Sequence, residues 1–213
     1  NSGQGTGGFS STGVNVLGTT DDITLDGTSV SGFETGIEQY GGELTLSGDA
    51  IVSGGDYGVY IEDTDMVVDG ARISGDSAGK AVYVTGASSF DATDMDTYGL
   101  VGLEIDAVDF RWNGGDSDAT TALMADGGAE GSVENVTWAD STTQINAGSY
   151  VTVTSVGNTV DASKLVVDST AVIHEGNLLN LDITHKGGDA SDVGLLIKST
   201  DGAQAAYVSP AYR

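Results

Sequence analysis

The amino-acid sequence predicts an all-β fold, a solenoid of parallel strands, and two observations lead to that prediction. Three similar segments follow one another: ITLDGTSVSG starts at Ile23, LTLSGDAIVSG at Leu44 and MVVDGARISG at Met66. The starts lie 21 and 22 residues apart, and a period of about 20–25 residues is typical of solenoids, whose single units cannot bury their own apolar side. Each segment also alternates apolar and polar residues, which is the period of a strand.

A second repeated pair, a small residue followed by an aliphatic one, extends this period along the chain. The aliphatic members are spaced by 22, 23, 21, 20 and 22 residues, and the pairs are Gly36-Ile37, Gly58-Val59, Ala81-Val82, Gly102-Leu103, Ala122-Leu123 and, less regularly, Gln144-Ile145. Each turn then holds three short strands of the types GVYIED, MVVDG and ARISG. Gly, Asp, Asn and Ser separate them, as sharp bends require.

Three strands per turn at this period resemble the right-handed parallel β-helix of the pectate-lyase-like superfamily. The resemblance covers roughly residues 13–173. It rests on a loose pattern, Gly-Ile-x-apolar followed by apolar-x-apolar-x-Gly/Asn-x-x-apolar, which is matched by Gly58-Val59-Tyr60-Ile61 and by Met66 through Ile73. It implies a right-handed parallel β-helix of about six or seven turns. It implies no single activity, because the superfamily includes lyases, hydrolases, esterases, epimerases, adhesins and phage spikes.

Alternation along the strands predicts which side chains fill the core. Parallel strands lie about 4.8 Å apart, so equivalent residues of successive turns stack into columns. We expect three such turns from Ile23, Leu25 and Val30, then Leu44, Leu46 and Ile51, then Met66, Val68 and Ile73. A further side is expected from Val59, Ile61, Val82, Val84, Leu103 and Ile105.

The two ends of the chain depart from the repeat. Residues 1–12 are rich in Gly and Ser and are predicted to be a linker or an incomplete first turn. Residues 174–213 hold longer alternating stretches around KGGDASD and STDG, which are typical of antiparallel hairpins. We therefore expect a small C-terminal antiparallel β cap, or the start of a following β domain, and a chain that is part of a larger surface protein.

Composition narrows the classes of partner. The 213 residues include 32 Asp plus Glu against 7 Lys plus Arg, which gives a net charge of −25. A net negative charge of this size repels nucleic acid and anionic lipid. No apolar run approaches the roughly 20 residues that span a bilayer. We expect neither nucleic-acid binding nor membrane insertion. Cations, neutral sugars or basic protein patches are the partners that this charge favours, although acidic residues also keep a β-rich surface soluble.

The absence of cysteine excludes disulfide bonds and thiolate metal sites within the chain. The acidic surface is typical of a secreted or cell-surface protein in a saline or marine setting, and that is the location we expect.

Outward-facing residues on the GVYIED-type strands form the best candidate for a binding site. In enzymes of the superfamily that the chain resembles, the active groove lies outside this sheet. Tyrosine rings offer flat amphipathic contacts, and carboxylates accept hydrogen bonds from sugar hydroxyls or bind Ca²⁺. The predicted stripe for a polysaccharide or glycan consists of Glu38, Tyr40, Tyr60, Glu62, Tyr83, Glu104 and Asp106. The alternative is that exposed strands carry tyrosine and acids for β-propensity and solubility.

Three of these carboxylates, Glu62, Glu104 and Asp106, are also the candidates for a catalytic role. Glu104 and Asp106 lie two residues apart on one strand face, about 6.5–7 Å from each other, near the lower limit for inverting glycosidases. No complete lyase or pectin-hydrolase motif accompanies them. The sequence therefore favours a structural and binding module over a lyase, epimerase or hydrolase, and a purely architectural stalk or filament subunit is a further alternative.

The Asp-rich loops are candidate Ca²⁺ sites, since alternate aspartates can direct several oxygens at one cation. The candidates are Asp63 with Asp65, Asp91 with Asp94 and Asp96, and Asp116 with Asp118. None matches the EF-hand loop or the G-G-x-G-x-D repeat, and solvated loop residues are the alternative. Calcium is thus a candidate ligand, and the fold requires no cofactor.

One tripeptide, Asn135-Val136-Thr137, fits the N-glycosylation acceptor pattern. The sequence pattern predicts that Asn135 lies inside a strand, and the tripeptide gives some support for export.

Overall fold

A computed structural model of the chain describes residues 11–18, 20–86, 88–138 and 140–176, together with the backbone of Leu195–Lys198 and Ala205–Val208. These residues are all-β apart from one short 3₁₀ helix, Ala162–Lys164. The described residues up to 176 form a parallel β-solenoid of about seven turns, which confirms the predicted fold class. The described residues contain no helix long and apolar enough to cross a membrane.

The strands follow the chain in this order: β1 (Thr12–Val16), β2 (Ile23–Asp26), β3 (Ser29–Tyr40), β4 (Glu43–Glu62), β5 (Asp65–Ser74), β6 (Lys80–Thr85), β7 (Ser89–Tyr98), β8 (Val101–Asp106), β9 (Asp109–Asn113), β10 (Thr121–Asp126), β11 (Glu130–Glu134), β12 (Thr143–Ala147), β13 (Thr152–Val156), β14 (Leu165–Val167), β15 (Val172–Gly176), β16 (Leu195–Lys198) and β17 (Ala205–Val208).

Each turn has up to three sides, and β4 bends to contribute to all of them. The first side stacks β1, residues 35–40 and 57–62, and then β6, β8, β10, β12 and β14. The second side stacks β2, residues 43–47, 65–69 and 89–93, and then β9, β11, β13 and β15. The third side stacks residues 29–30, 50–53, 71–74 and 95–98, and continues as the bridges Thr97↔Ser117 and Asp116↔Thr137.

The core is a set of apolar columns inside these three sides. Of the residues predicted to point inward, all but three are buried, and Ile23 and Leu25 are partly buried against the same core. Trp112 and Trp138, at 0% and 2% exposure, fill the later turns where the third side is reduced to bridges.

The remaining prediction, that Ile51 faces the core, is wrong. Ile51 is 47% exposed, whereas Val52 is completely buried and pairs with Val30 on one side and Ile73 on the other. The second copy of the repeat is one residue longer than the others, and the strand pairing shifts register between Ser47 and Ala50 to accommodate the extra residue. Such a one-residue change reverses the face of every side chain that follows it.

The small residue of the small-aliphatic pair lies where the third side meets the first. A Cβ on Gly58 would lie 2.6 Å from the carbonyl oxygen of Ala81 and 2.7 Å from Cγ2 of Ile73. Those distances are shorter than any ordinary carbon contact, so a larger side chain would push apart the two sides that close the turn. The same restriction holds at Gly36 and Gly102, whereas Ala81, Ala122 and Gln144 occupy the equivalent position in the other turns.

The corner after each second-side strand adopts left-handed backbone angles. Residues at this corner are Gly27, Gly48, Gly70, Asp94, Gly114, Asn135 and Gly157, all with φ between 51° and 78°. Glycine takes this conformation without a steric cost, and Asn and Asp tolerate it better than other residues. The composition of the corner therefore follows from the backbone geometry.

The chain divides into two units, Asn1–Leu178 and Leu179–Arg213. In the second unit β16 and β17 pair antiparallel, and the STDG segment between them lies outside the described residues. The predicted hairpin around KGGDASD and the Gly/Ser-rich residues 1–10 lie outside the described residues.

Candidate functional site

Four tyrosines, Tyr40, Tyr57, Tyr60 and Tyr83, form a continuous cluster of rings on the first side; we call them the tyrosine cluster. Tyr60 and Tyr83 are paired across adjacent strands, as predicted. The ring centroids lie 5.9 Å apart for Tyr40–Tyr60, 5.5 Å for Tyr57–Tyr60, 6.0 Å for Tyr57–Tyr83 and 5.4 Å for Tyr60–Tyr83. All four side chains are partly exposed. The rings therefore support one another while leaving part of their surface accessible to solvent.

Two predicted carboxylates fix the orientation of the Tyr40 and Tyr60 rings. The Tyr40 hydroxyl donates to Glu38 Oε1 at 2.8 Å, and the Tyr60 hydroxyl donates to Glu62 Oε2 at 3.1 Å. The other oxygen of Glu38 accepts hydrogen bonds from Thr12 and Asn15 at 3.1 and 3.0 Å. Each acid is two residues from its tyrosine, on the same strand face, so the pairing follows directly from alternation.

A lysine, Lys80, lies against the tyrosine cluster. Lys80 Nζ lies 2.8 Å from Glu104 Oε1 and sits 4.7 Å from the ring centroid of Tyr83 and 5.6 Å from that of Tyr57. The ammonium group thus contacts a predicted stripe carboxylate and two aromatic faces, an arrangement that combines an ion pair with cation–π attraction. It also places the one positive charge among these side chains at the centre of an otherwise acidic surface.

The surroundings of the two tyrosines stabilise their neutral form. The hydrogen bond to Glu38, together with burial, raises the pKa of Tyr40 to about 12. Burial, followed by the hydrogen bond to Glu62, raises the pKa of Tyr60 well above its ordinary value. In each pair the phenol is the donor and the carboxylate the acceptor, so ionising the phenol would remove the hydrogen bond and create two adjacent negative charges.

Tyr57 is the member that the sequence pattern did not predict. Strict alternation from Tyr60 would turn Tyr57 inward, yet it is partly exposed and its ring contacts Tyr60 and Tyr83. Gly58 and Val59 are both buried, so the alternation breaks at the corner that Gly58 occupies. The signal in the sequence is the small residue itself, because a corner allows the preceding side chain to point outward.

The remaining carboxylates of the stripe are spread out along the first side. Asp106 pairs in register with Asp126 and lies beyond Glu104 on the same strand. Glu104, at 17% side-chain exposure, is already bound to Lys80. The connections from the first to the second side, through residues 41–42, 63–64, 86–88, 107–108, 127–129 and 148–151, are between two and four residues long. Connections of that length build no high wall along this edge of the first side.

Three of the predicted calcium ligands, Asp65, Asp91 and Asp96, accept hydrogen bonds from the protein. Asp65 Oδ1 accepts from the backbone N–H and the hydroxyl of Ser89, at 3.0 and 2.7 Å. Asp91 Oδ1 accepts from Arg111 at 3.2 Å, and Asp96 Oδ1 accepts from the backbone N–H of Asp116 at 3.1 Å. These contacts join one turn of the solenoid to the next. Asp63, Asp94, Asp116 and Asp118 are all exposed.

Across the part of the chain that the structure describes, no group of three or more His, Cys, Asp or Glu is arranged to hold a metal ion. Two of the predicted ligands, Asp94 and Asp96, do share a groove of about 540 Å³ on the third side with Asp49 and Arg72. Arg72 lies 3.5 Å from Asp96 Oδ2 and 5.7 Å from the Tyr98 ring. This groove therefore carries charges of both signs.

The chain matches no protein-family profile, no curated protein and no solved structure.

Proposed function

We propose that this protein is a structural and binding module located outside the cell, and that it contacts a neutral polysaccharide or glycan through the tyrosine cluster. The observation that carries this proposal is the set of four partly exposed rings linked by ring contacts on one side of the solenoid, with the centroids of contacting rings 5.4–6.0 Å apart.

The chemistry of the cluster suits a sugar. Tyrosine rings present apolar faces for C–H groups, and the carboxylates and Lys80 around them supply acceptors and donors for hydroxyl groups. The hydrogen bonds to Glu38 and Glu62 hold the Tyr40 and Tyr60 rings in place before any ligand arrives, which reduces the entropy lost on binding. The net charge of −25 favours a neutral ligand over an acidic polysaccharide.

The proposal has three further parts, each supported by a different observation. Membership of the pectate-lyase-like superfamily is supported by the turn length and by the parallel three-sided turn. A secreted or cell-surface location in a saline or marine setting is supported by the acidic surface. Calcium assistance is proposed at the Asp-rich loops, of which Asp94 and Asp96 line the third-side groove.

Binding to immobilised neutral and uronic-acid oligosaccharides tests the proposal. The variants Tyr60→Ala and Tyr83→Ala remove rings from the cluster. Tyr98→Ala is the matched control, because Tyr98 is also a partly exposed ring beneath a cation but lies on the third side. We expect each cluster variant to lower the affinity for the neutral ligand about tenfold, the equivalent of one aromatic contact, and Tyr98→Ala to leave it unchanged.

The same samples distinguish the alternatives. Release of new reducing or unsaturated ends from a bound oligosaccharide would establish an enzyme in place of a binding module. Failure of the wild-type protein to bind any oligosaccharide, or equal losses in the cluster and control variants, would overturn the proposed binding surface and leave the architectural role.

A further inference from the structure

The tripeptide Asn135-Val136-Thr137 occupies an exposed corner of the solenoid and not the strand predicted for it. The strand β11 ends at Glu134, and Asn135 follows with φ of 55° at the corner after the second side. The 213 residues hold no other Asn-X-Ser/Thr tripeptide with X other than Pro. The left-handed backbone at this corner is enough to explain an asparagine at position 135. The evidence for a modification must therefore come from the surroundings of Asn135.

The side chains of the tripeptide alternate between solvent and core in a way that presents the acceptor. Asn135 and Thr137 are exposed, whereas Val136 is 4% exposed and anchors the corner. The Thr137 hydroxyl forms no hydrogen bond with any described residue, so no internal contact occupies it. A surface cavity of about 310 Å³ adjoins the corner, lined by Asn135, Thr137, Trp138, Gln144 and Thr159 among others. An amide-linked sugar therefore has room beside the chain.

We propose that Asn135 is a glycan acceptor, modified on its side-chain nitrogen by a donor of the polyprenyl-phosphate-linked oligosaccharide class. A bond forms between Asn135 Nδ2 and the anomeric carbon of the first sugar, and the bond from that carbon to the donor phosphate oxygen breaks. The polyprenyl phosphate leaves with the electron pair, and the amide gives up one proton to a base. The Thr137 hydroxyl is the second recognition element that the acceptor pattern requires.

The folded corner tolerates this modification. Asn135 Nδ2 donates to Asn113 Oδ1 at 3.2 Å, and a glycosylated amide keeps one N–H with which to make that bond. The backbone N–H groups of Asn135, Val136 and Thr137 are all hydrogen-bonded, to Val156 O, Asn158 Oδ1 and Gly115 O. The tripeptide is thus rigid once folded, so transfer takes place during export, before the later turns have assembled.

The position also separates the modification from the proposed binding surface. Asn135 lies at the corner between the second and third sides, whereas the tyrosine cluster lies on the first side and several turns earlier. A glycan at Asn135 is therefore compatible with ligand binding. The site is independent of the proposed binding surface and rests on the proposed location outside the cell.

The test is to secrete the full chain from a eukaryotic host that glycosylates a co-expressed reporter, and to measure intact mass and the mass of the peptide containing Asn135. We expect one glycan per chain at Asn135. Asn135→Asp, which keeps a residue suited to the left-handed corner, and Thr137→Ala should each abolish it, and Thr137→Ser should retain it. Asn146→Gln, outside any acceptor pattern, is the control and should leave the glycan in place.

Thermal melting of each secreted variant shows that it is folded. Folded wild-type protein without a glycan at Asn135, in cells where the reporter is glycosylated, would overturn the proposal. So would a glycan that survives Thr137→Ala.

Discussion

Lys80 donates to Glu104 across adjacent turns at 2.8 Å, and both side chains are shielded, with exposures of 28% and 17%. Because removing one partner leaves the other charge poorly solvated, we expect Lys80→Met to lower the free energy of unfolding by about 1–3 kcal/mol. Adding Glu104→Gln should recover part of this loss, since the unpaired charge is gone. Urea unfolding of the single and double variants measures both effects.

The matched control for this ion pair is Arg111 with Asp91, which lie 3.2 Å apart at 45% and 58% exposure. An exposed pair contributes about 0–1 kcal/mol, so Arg111→Met should cost much less than Lys80→Met. Equal losses in the two variants would show that Glu104 is as well solvated as a surface carboxylate, and that the shielding of the tyrosine cluster is smaller than the structure indicates.

The register of the second repeat leads to an independent prediction. Val52 is completely buried and Ile51 is 47% exposed. We expect Val52→Ala to lower the free energy of unfolding by about 2 kcal/mol, from lost apolar burial and the cavity left behind. Ile51→Ala should change it by less than about 0.5 kcal/mol. The reverse order in a denaturation experiment would place the longer repeat copy in the other register.

The same two residues show how far the sequence predicts the fold. Periodicity establishes the strands, the turn length and most of the core. Equivalent residues of successive turns stack on one another, so apolar residues recur at a fixed spacing along the sequence. It fails at Ile51, since one extra residue can be accommodated at either side of a corner and alternation alone does not say which. Pairing with Val30 and Ile73 decides the register, and that is a property of three turns together.

The candidate site was predictable to a similar degree. Tyr60 and Tyr83 followed from alternation, whereas Tyr57 did not, because the buried Gly58 interrupts the pattern at a corner. The position of Lys80 over Tyr83 also requires knowledge of side-chain direction across two strands. Alternation along the sequence therefore predicts side-chain direction least well at the corners. Tyr57 and Lys80 both lie next to such a corner.

Left-handed corners offer a route to a more stable protein. Ala107 is exposed and has φ of 59°, in a conformation that glycine adopts without a steric cost. We expect Ala107→Gly to raise the free energy of unfolding by about 0.5–1 kcal/mol, the relief of strain minus the added flexibility of the unfolded chain. Ala125→Gly, at a buried strand position, should lower it instead. A loss of stability in both variants would contradict the assigned corner geometry.

Calcium assistance predicts a specific thermal response. A ligand that binds only the folded state raises the melting temperature, so millimolar CaCl₂ should raise it more than NaCl of equal ionic strength, and EDTA should reverse the difference. Asp94→Asn should reduce the calcium-specific part, because Asp94 lines the third-side groove. Asp26→Asn, an exposed acid outside that groove, is the control. Equal responses to both salts would indicate charge screening alone and remove calcium from the proposed function.

The tyrosine–glutamate pairs predict a loss of stability at high pH. The pKa of Tyr40 is raised to about 12 in the folded protein, against about 10 in an unfolded chain. The pair therefore contributes its full stability below pH 10, and that contribution is lost as the pH rises from about 10 towards 12, because the unfolded state releases its proton first.

Urea unfolding between pH 9 and 12 should show a shallower decline in the free energy of unfolding for Tyr40→Phe and Tyr60→Phe than for the wild type. Tyr150→Phe, at a 75% exposed position, should follow the wild-type curve, since lysine titration is common to every variant. A decline of the same slope in all four proteins would show that the phenols are not held neutral by Glu38 and Glu62.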